Sequence, residues 1–473
     1  MTLANGIRVS EPHSSHEIDS PICTLGSQTW TLAEGSTVTL SGKLSGNEDS
    51  TVTLSGAGTY VFAGRDGDTG SNFRSVDSAV VHVKSAGALG TAEGVTTIGG
   101  SGALVLDNVS INEPFVLAGQ HAKRGTLVSL EPGTNVLNGK ISVKSQVYLQ
   151  NQKNGGRLVV SGGMDLDMPG NGYNFRIGWF GKSSDKEPFQ FEVKDVPIVN
   201  TGSKTVLFYN ECVCDVIVSV PGNRLTPVDG SNRSRIQMTR NDKNAAGEPT
   251  ARLICKVPYA FAYTDELILG VNEKLDTPYH GLIDLCGNDQ GFAAAYGLDE
   301  QYQTHPDADG VPQGAHSIVT SSGGPAYLCS RHAEDVSTWW TFTGAAGYRM
   351  EGSGGITFRT SSRSSGALCV TNGTMTLPSG VAWRRASKVV AEENGTFILV
   401  GSLGTDTEVY LSGNGKLHLP EGVNTRAGCL VLEGSAPRFG EWGSPESGAA
   451  NTSSRITGKG RIRFGSPLRI MIR

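Results

Sequence analysis

The stretch TVTLSGKLSGNEDSTVTLSG, Thr37 to Gly56, contains one hexapeptide twice, at 37–42 and at 51–56. Thr37, Val38, Thr39 and Leu40 alternate hydroxylic and apolar side chains. That is the period of a strand with one face in a core. Ser41 and Gly42 then supply a corner, and the second copy repeats strand and corner fourteen residues later. None of these residues is by itself a strong acid, base or nucleophile. The repetition therefore speaks for architecture.

The same device recurs along the chain. Segments such as GALVLDNVSI, GKISVKS, GRLVVSGG, GTFILVGS, GKLHLPEG and GRIRFGS each place a glycine before an alternating run of about five residues. Helical periodicity is almost absent. Glycine makes up 63 of the 473 residues, nearly double the usual share of ~7%. Charged residues are 18%, below the usual ~25%. Many short strands joined by tight turns account for both, with glycine read as the source of positive-φ corners. A sandwich of this length would need several domains, and no Pro-rich or charge-rich linker divides the chain. Identical hexapeptides and recurring strand units predict stacked coils of roughly 20–25 residues. The fold class expected is all-β, a right-handed parallel β-helix forming a single elongated domain with loop insertions. Three regions are read along it: 1–163 and 266–473 as β-helix repeats, and 164–265 as an irregular continuation with long loops. The last region carries a polar insertion at 298–315 and closes on C-terminal capping strands.

A family resemblance rests on these residues. LGSQTWTLAEGSTVTLSGKLSGNEDSTVTLSGAGTYVFAG resembles the autotransporter-associated β-strand repeat, and VVHVKSAGALGTAEGVTTIGGSGALVLDNVSINEPFVLAG resembles its usual continuation. GLIDLCGNDQGFAAAYG, HSIVTSSGGPAYLCS and STWWTFTGAAGYRMEGSGGITFR look like a further copy. GNGKLHLPEGVNTRAGCLVLEGSAPRFGEW through SRITGKGRIRFG resembles the closing segment. The resemblance implies a passenger-like β-helix of a bacterial secreted or surface protein. The start, MTLANGIRVSEPHSSHEIDS, has no signal-peptide pattern and reads as an initiator Met before a mature or truncated domain.

Composition excludes some classes. The net charge is −5 with no basic half, so no nucleic-acid partner is indicated. No run of ~18 apolar residues predicts a transmembrane helix. The basic tail GKGRIRFGSPLRIMIR is read as an alternating final strand whose outward charges protect an edge. Eight cysteines occur, none in a zinc-like spacing, and they read as small buried hydrophobes.

No strong catalytic motif is present. GKS at 181–183 lacks the upstream glycine of a P-loop, and there is no HExxH, dinucleotide fingerprint or nucleophile elbow. Two clusters stand out. LDEQYQTHPDADGVPQGAH (298–316) gathers Tyr302, His305, Asp307 and Asp309. Its Asp-x-Asp-Gly turn could offer hard oxygens to calcium through Asp307 and Asp309, the one cofactor the sequence raises. His305 and Asp307 are candidate catalytic groups, as are His332 and Glu334 in SRHAEDVSTWW (330–340). Trp339 and Trp340 are placed on a strand with their rings on opposite faces. An outward ring there, or Tyr302, could stack on a sugar. Asn288 and Asp289 are read as turn residues, a stacked Asn bonding to the next coil. Asp165/Asp167 and Arg384/Arg385 are charged pairs whose spacing alone does not bring them together.

The function expected is an extracellular or cell-surface structural and adhesive module that contacts polysaccharides or surface molecules. The alternative is a carbohydrate-active enzyme, a polysaccharide lyase or glycoside hydrolase, or an accessory domain of one.

Overall fold

The computed structural model describes residues 1–46, 49–64, 71–89, 91–121, 125–151, 156–177, 189–210, 214–230, 233–238, 251–270, 281–296 and 317–465. Among them there is no helix. The chain falls into two compact units, Met1–Gln237 and Met238–Arg473.

In the first unit the strands stack in parallel sheets. Nine of them, from Arg8–Val9 through Thr51–Gly56 to Ile198–Asn200, form one sheet. A second begins at Ser15–Ile18 and Thr37–Leu40, and a third begins at Ser110–Ile111. The chain visits them in turn: Ile141–Val143, Val147–Asn151 and Gly156–Val160 are consecutive strands on three different sheets. This is the parallel β-helix that the repeats predict. Val38 lies opposite Tyr60, Tyr60 opposite Val81, and Val81 opposite Leu104, and all four side chains are buried. Like stacks on like because one residue on each coil occupies each inward position. Within 164–210 the coils lengthen. Leu149 pairs with Ile177, and Ile177 with Asn210, yet both pairings stay parallel.

The two TVTLSG copies show the same inward pattern, with Val38, Leu40, Val52 and Leu54 buried. They lie on different sheets. Thr37–Leu40 pairs with Ser15–Ile18 and Thr59–Phe62, whereas Thr51–Gly56 pairs with Gln28–Leu32 and Asn72–Ser75. The copy therefore repeats a geometry around the coil and not up the stack.

Glycine does supply positive-φ corners, as at Gly35, Gly56 and Gly380, but several glycines that launch strands have a different reason. Gly102 and Gly415 do not take a positive φ. A Cβ on Gly102 would lie 1.7 Å from the Ala79 carbonyl oxygen, and one on Gly415 would lie 2.1 Å from that of Ala391. The coil beneath passes too close for any side chain, which is why glycine precedes strand after strand.

The second unit is the more regular. Along its seven-stranded sheet the partners are Leu328, Tyr348, Leu368, Val389, Val409 and Leu430. The step from each to the next is 20 or 21 residues, within the coil length expected from the sequence. Large rings fill the interior: Phe342, Tyr348, Phe358 and Trp383 contact one another with centroids 5.1–6.1 Å apart. The chain closes on a mixed sheet in which Arg461–Phe464 runs between Asn424–Ala427, parallel to it, and Gly440–Gly443, antiparallel. That strand is interior to its sheet. Its outward charges do not guard an edge, and the edge reading of this strand is corrected.

Candidate functional site

Two near-identical segments frame a groove in the second unit. Leu377-Pro378-Ser379-Gly380-Val381 and Leu419-Pro420-Glu421-Gly422-Val423 repeat an L-P-x-G-V corner two coils apart. The coil between them reads Leu399-Val400-Gly401-Ser402-Leu403. Leu377 pairs with Leu399, and Trp383 pairs with Leu403. Five residues (378–382) join the two paired positions on the upper coil, but only three (400–402) join them on the middle one. The middle turn is two residues short, so it forms a floor between two taller walls. The cavity is about 660 Å³ and is lined by Ser379, Arg384, Ser402, Glu421, Asn424 and Thr425 among others. With coils ~4.8 Å apart, walls two coils apart stand ~10 Å from each other.

The floor is held rigidly. The N–H groups of Val400 and Gly401 both donate to the Leu377 carbonyl at 2.9 Å, and the Ser402 N–H donates to Val381 at 3.0 Å. A Cβ on Gly401 would lie 2.2 Å from the Val381 carbonyl oxygen, so this turn cannot carry a side chain there. Trp383, fully buried, anchors the wall that presents Arg384. Glu421 lies 3.4 Å from Lys459. The lining offers hydroxyls, an amide, one cation and one carboxylate, which suits a polyhydroxylated ligand better than an apolar one.

A second polar cluster covers the outer face of the seven-stranded sheet. The Tyr263 ring lies across Gly291, where a Cβ would meet it at 2.1 Å. The Arg331 guanidinium sits 3.7 Å over that ring and its Nε–H donates to Glu351 at 2.8 Å. One coil on, Arg349 sits 4.4 Å over Tyr327. Burial pushes the Cys329 thiol up to about 12 and the Cys369 thiol up to about 11. Both stay protonated at neutral pH and are poor nucleophiles. The cluster is a packed polar surface with both thiols buried beneath it.

His332 is buried. Its Nε2 lies 3.2 Å from the Gly355 carbonyl oxygen, so it carries the proton, and Nδ1 accepts from the Ser330 hydroxyl at 2.6 Å. Both ring nitrogens are engaged inside the fold. Glu334 is exposed at the turn that follows. Trp340 is buried and its indole N–H points to the Leu269 carbonyl at 3.4 Å, while Trp339 is half-buried. The pair sits at the corner between Val336–Thr338 and Thr341–Phe342, not on a strand. Tyr302, His305, Asp307 and Asp309 lie outside the described residues. Among the described residues no group of three or more His, Cys, Asp or Glu could hold a metal ion.

Asp165 and Asp167 do not form a carboxylate pair aimed at one point. Lys140 lies 3.1 Å from Asp165 and Lys144 lies 2.6 Å from Asp167, ties between adjacent coils. Asn288 reaches the Cys255 carbonyl on the preceding coil at 3.3 Å, and Asp289 accepts the Tyr327 N–H at 2.8 Å. Cys23, Cys255, Cys286, Cys329, Cys369 and Cys429 are free thiols.

Sequence reasoning named Arg384 only as half of a charged pair and missed the groove. The available signal was the near-copy LPSGV/LPEGV with a shortened turn between.

Fold and groove together define a parallel β-helix with a polar groove across its coils. No protein-family model, curated protein or solved structure matches this chain.

Proposed function

We propose that the protein is a structural and adhesive β-helix module, displayed outside the cell or on its surface, that holds a glycan in the groove over Ser402. The observation that carries the reading is the two-residue deficit at 400–402. It leaves a polar trough one polymer chain wide between two matching walls, on a scaffold that needs no trough to stack. Hydroxyls and an amide on the lining pair with sugar hydroxyls, and Arg384 and Glu421 add orientation. The resemblance to the autotransporter-associated repeat supports the surface location.

A glycan array probed with the intact chain tests the proposal, alongside Ser402→Trp, which fills the floor. Retention of a glycan by the native chain, lost in the variant with its circular dichroism unchanged, is the expected result. No retention on the array, or retention indifferent to Ser402→Trp, overturns it. Protease treatment of intact cells tests the location separately.

A carbohydrate-active enzyme is the second reading, favoured by a cation and a carboxylate lining one groove. Glycoside hydrolysis uses a pair of carboxyl groups, and the described lining supplies Glu421 alone. A polysaccharide digestion screen repeated on Glu421→Gln, His305→Ala and Asp307→Ala separates the readings. Activity abolished by any of these changes would establish the enzyme.

A further inference from the structure

We propose that the glycan is acidic, a polysaccharide carrying carboxylate or sulfate groups, and that it runs from the groove onto an arginine row formed by Arg426 and Arg463. The inference rests on the groove being a glycan site and adds the charge of the ligand. Asn424 lines the groove and begins the strand Asn424–Ala427. Along that strand Asn424 and Arg426 are exposed and Ala427 is buried. Two residues of strand place Arg426 on the same face as Asn424, about 7 Å further along. Directly opposite Arg426, on the neighbouring parallel strand, stands Arg463, also exposed.

Like charges facing each other across a strand pair oppose folding. The usual remedy is an intervening carboxylate, and among the described residues none forms an ion pair with either arginine. Glu441 is the cross-strand partner of Arg463, yet its carboxylate lies 3.5 Å from Arg461. Glu421, within the groove, is engaged by Lys459. Among the described residues no carboxylate forms an ion pair with Arg384, Arg385, Arg426 or Arg463. Edge protection does not explain Arg463, since Arg461–Phe464 is flanked on both sides, although Asn424–Ala427, which carries Arg426, is the end strand of this sheet. What remains, among the described residues, is a pair of arginines with no carboxylate partner, continuous with a hydroxyl-lined trough. Its complement is a chain bearing both hydroxyls and negative charge. A trough ~10 Å between walls admits a single chain and not a nucleic-acid duplex.

The test measures the intact protein on immobilised polygalacturonate, dextran sulfate and uncharged dextran. At least one acidic polymer should bind at least about tenfold more tightly than dextran, a difference that shrinks as salt rises from about 50 to about 500 mM. Arg426→Gln with Arg463→Gln should cut that binding about tenfold or more, with a melting temperature unchanged or raised. Lys84→Gln, in the first unit, should leave binding as it is. Dextran or another neutral glycan retained as well as the acidic polymers would sink the charge assignment and leave the groove reading standing. Failure to retain any glycan would overturn both. Binding untouched by the double substitution, or matched on duplex DNA or phosphatidylserine vesicles, also overturns the assignment.

Discussion

Glu113 is a carboxyl sealed inside the first unit. Its side chain is 1% exposed, one oxygen accepts the Thr96 hydroxyl at 2.8 Å, and Oε2 has no hydrogen-bond partner. Burial pushes its pKa from 4.5 up to about 8. The folded chain therefore holds a proton that the unfolded chain releases, and folding loses stability as pH rises across that window. The slope is about 1.4 kcal/mol per pH unit between the two values, with nothing further lost above the upper one. Urea unfolding of the native chain followed from pH 4.5 to 8 should show this decline, and Glu113→Gln should flatten it. A native curve that rises over the same range would contradict the assignment. Gly291 carries a second prediction at this scale. Alanine there drives the Tyr263 ring off its seat and away from Arg331, costing about 1–3 kcal/mol. Tyr263→Ala should relieve most of that cost in a double-mutant cycle, because ring and Cβ compete for one space. Neither feature was legible in the sequence. Glu113 and Gly291 gain their partners only when the neighbouring coil is laid against them, and a single sequence does not show which residues those are.

At the level of the turn, length is the variable that matters. The strands Thr374–Leu377 and Thr396–Leu399 pair in register, so the coils are locked on both sides of the 400–402 turn. Restoring two residues there, by placing Pro and Ser between Leu399 and Val400, should raise the floor to the height of its walls. Binding to any retained glycan should fall by about tenfold or more while β-structure by circular dichroism persists. Persistence of binding would show that the trough is not the site. Sequence periodicity revealed the strands because each inward position repeats a buried side chain. It did not reveal the trough, because a groove made by missing residues leaves no chemical signature of its own. Residues with chemistry stand out in the sequence instead, such as His332, which the fold engages with Ser330 and Gly355.

Across a whole unit, the stacked arrangement dictates how damage spreads. The backbone pairing of each coil is with the coils above and below, so stability approximates a sum of nearest-neighbour terms. That is also why the fold was the most legible property of this chain. A local pattern copied from coil to coil is visible in one sequence, whereas a site built once is not. Leu411 is fully buried and lies between Ala391 and Leu432 on the adjacent coils. Leu411→Ala should cost about 2–5 kcal/mol locally. Hydrogen exchange should then accelerate in Glu408–Leu411 and in its partners Lys388–Ala391 and Cys429–Leu432. Ala326–Ser330 belongs to the same seven-stranded sheet but lies several coils away, and its amides should keep their protection. A globally cooperative unit would instead lose protection evenly along the sheet. Exchange rates compared between those two strands, in native and variant protein, decide whether the coils melt as neighbours or as one body.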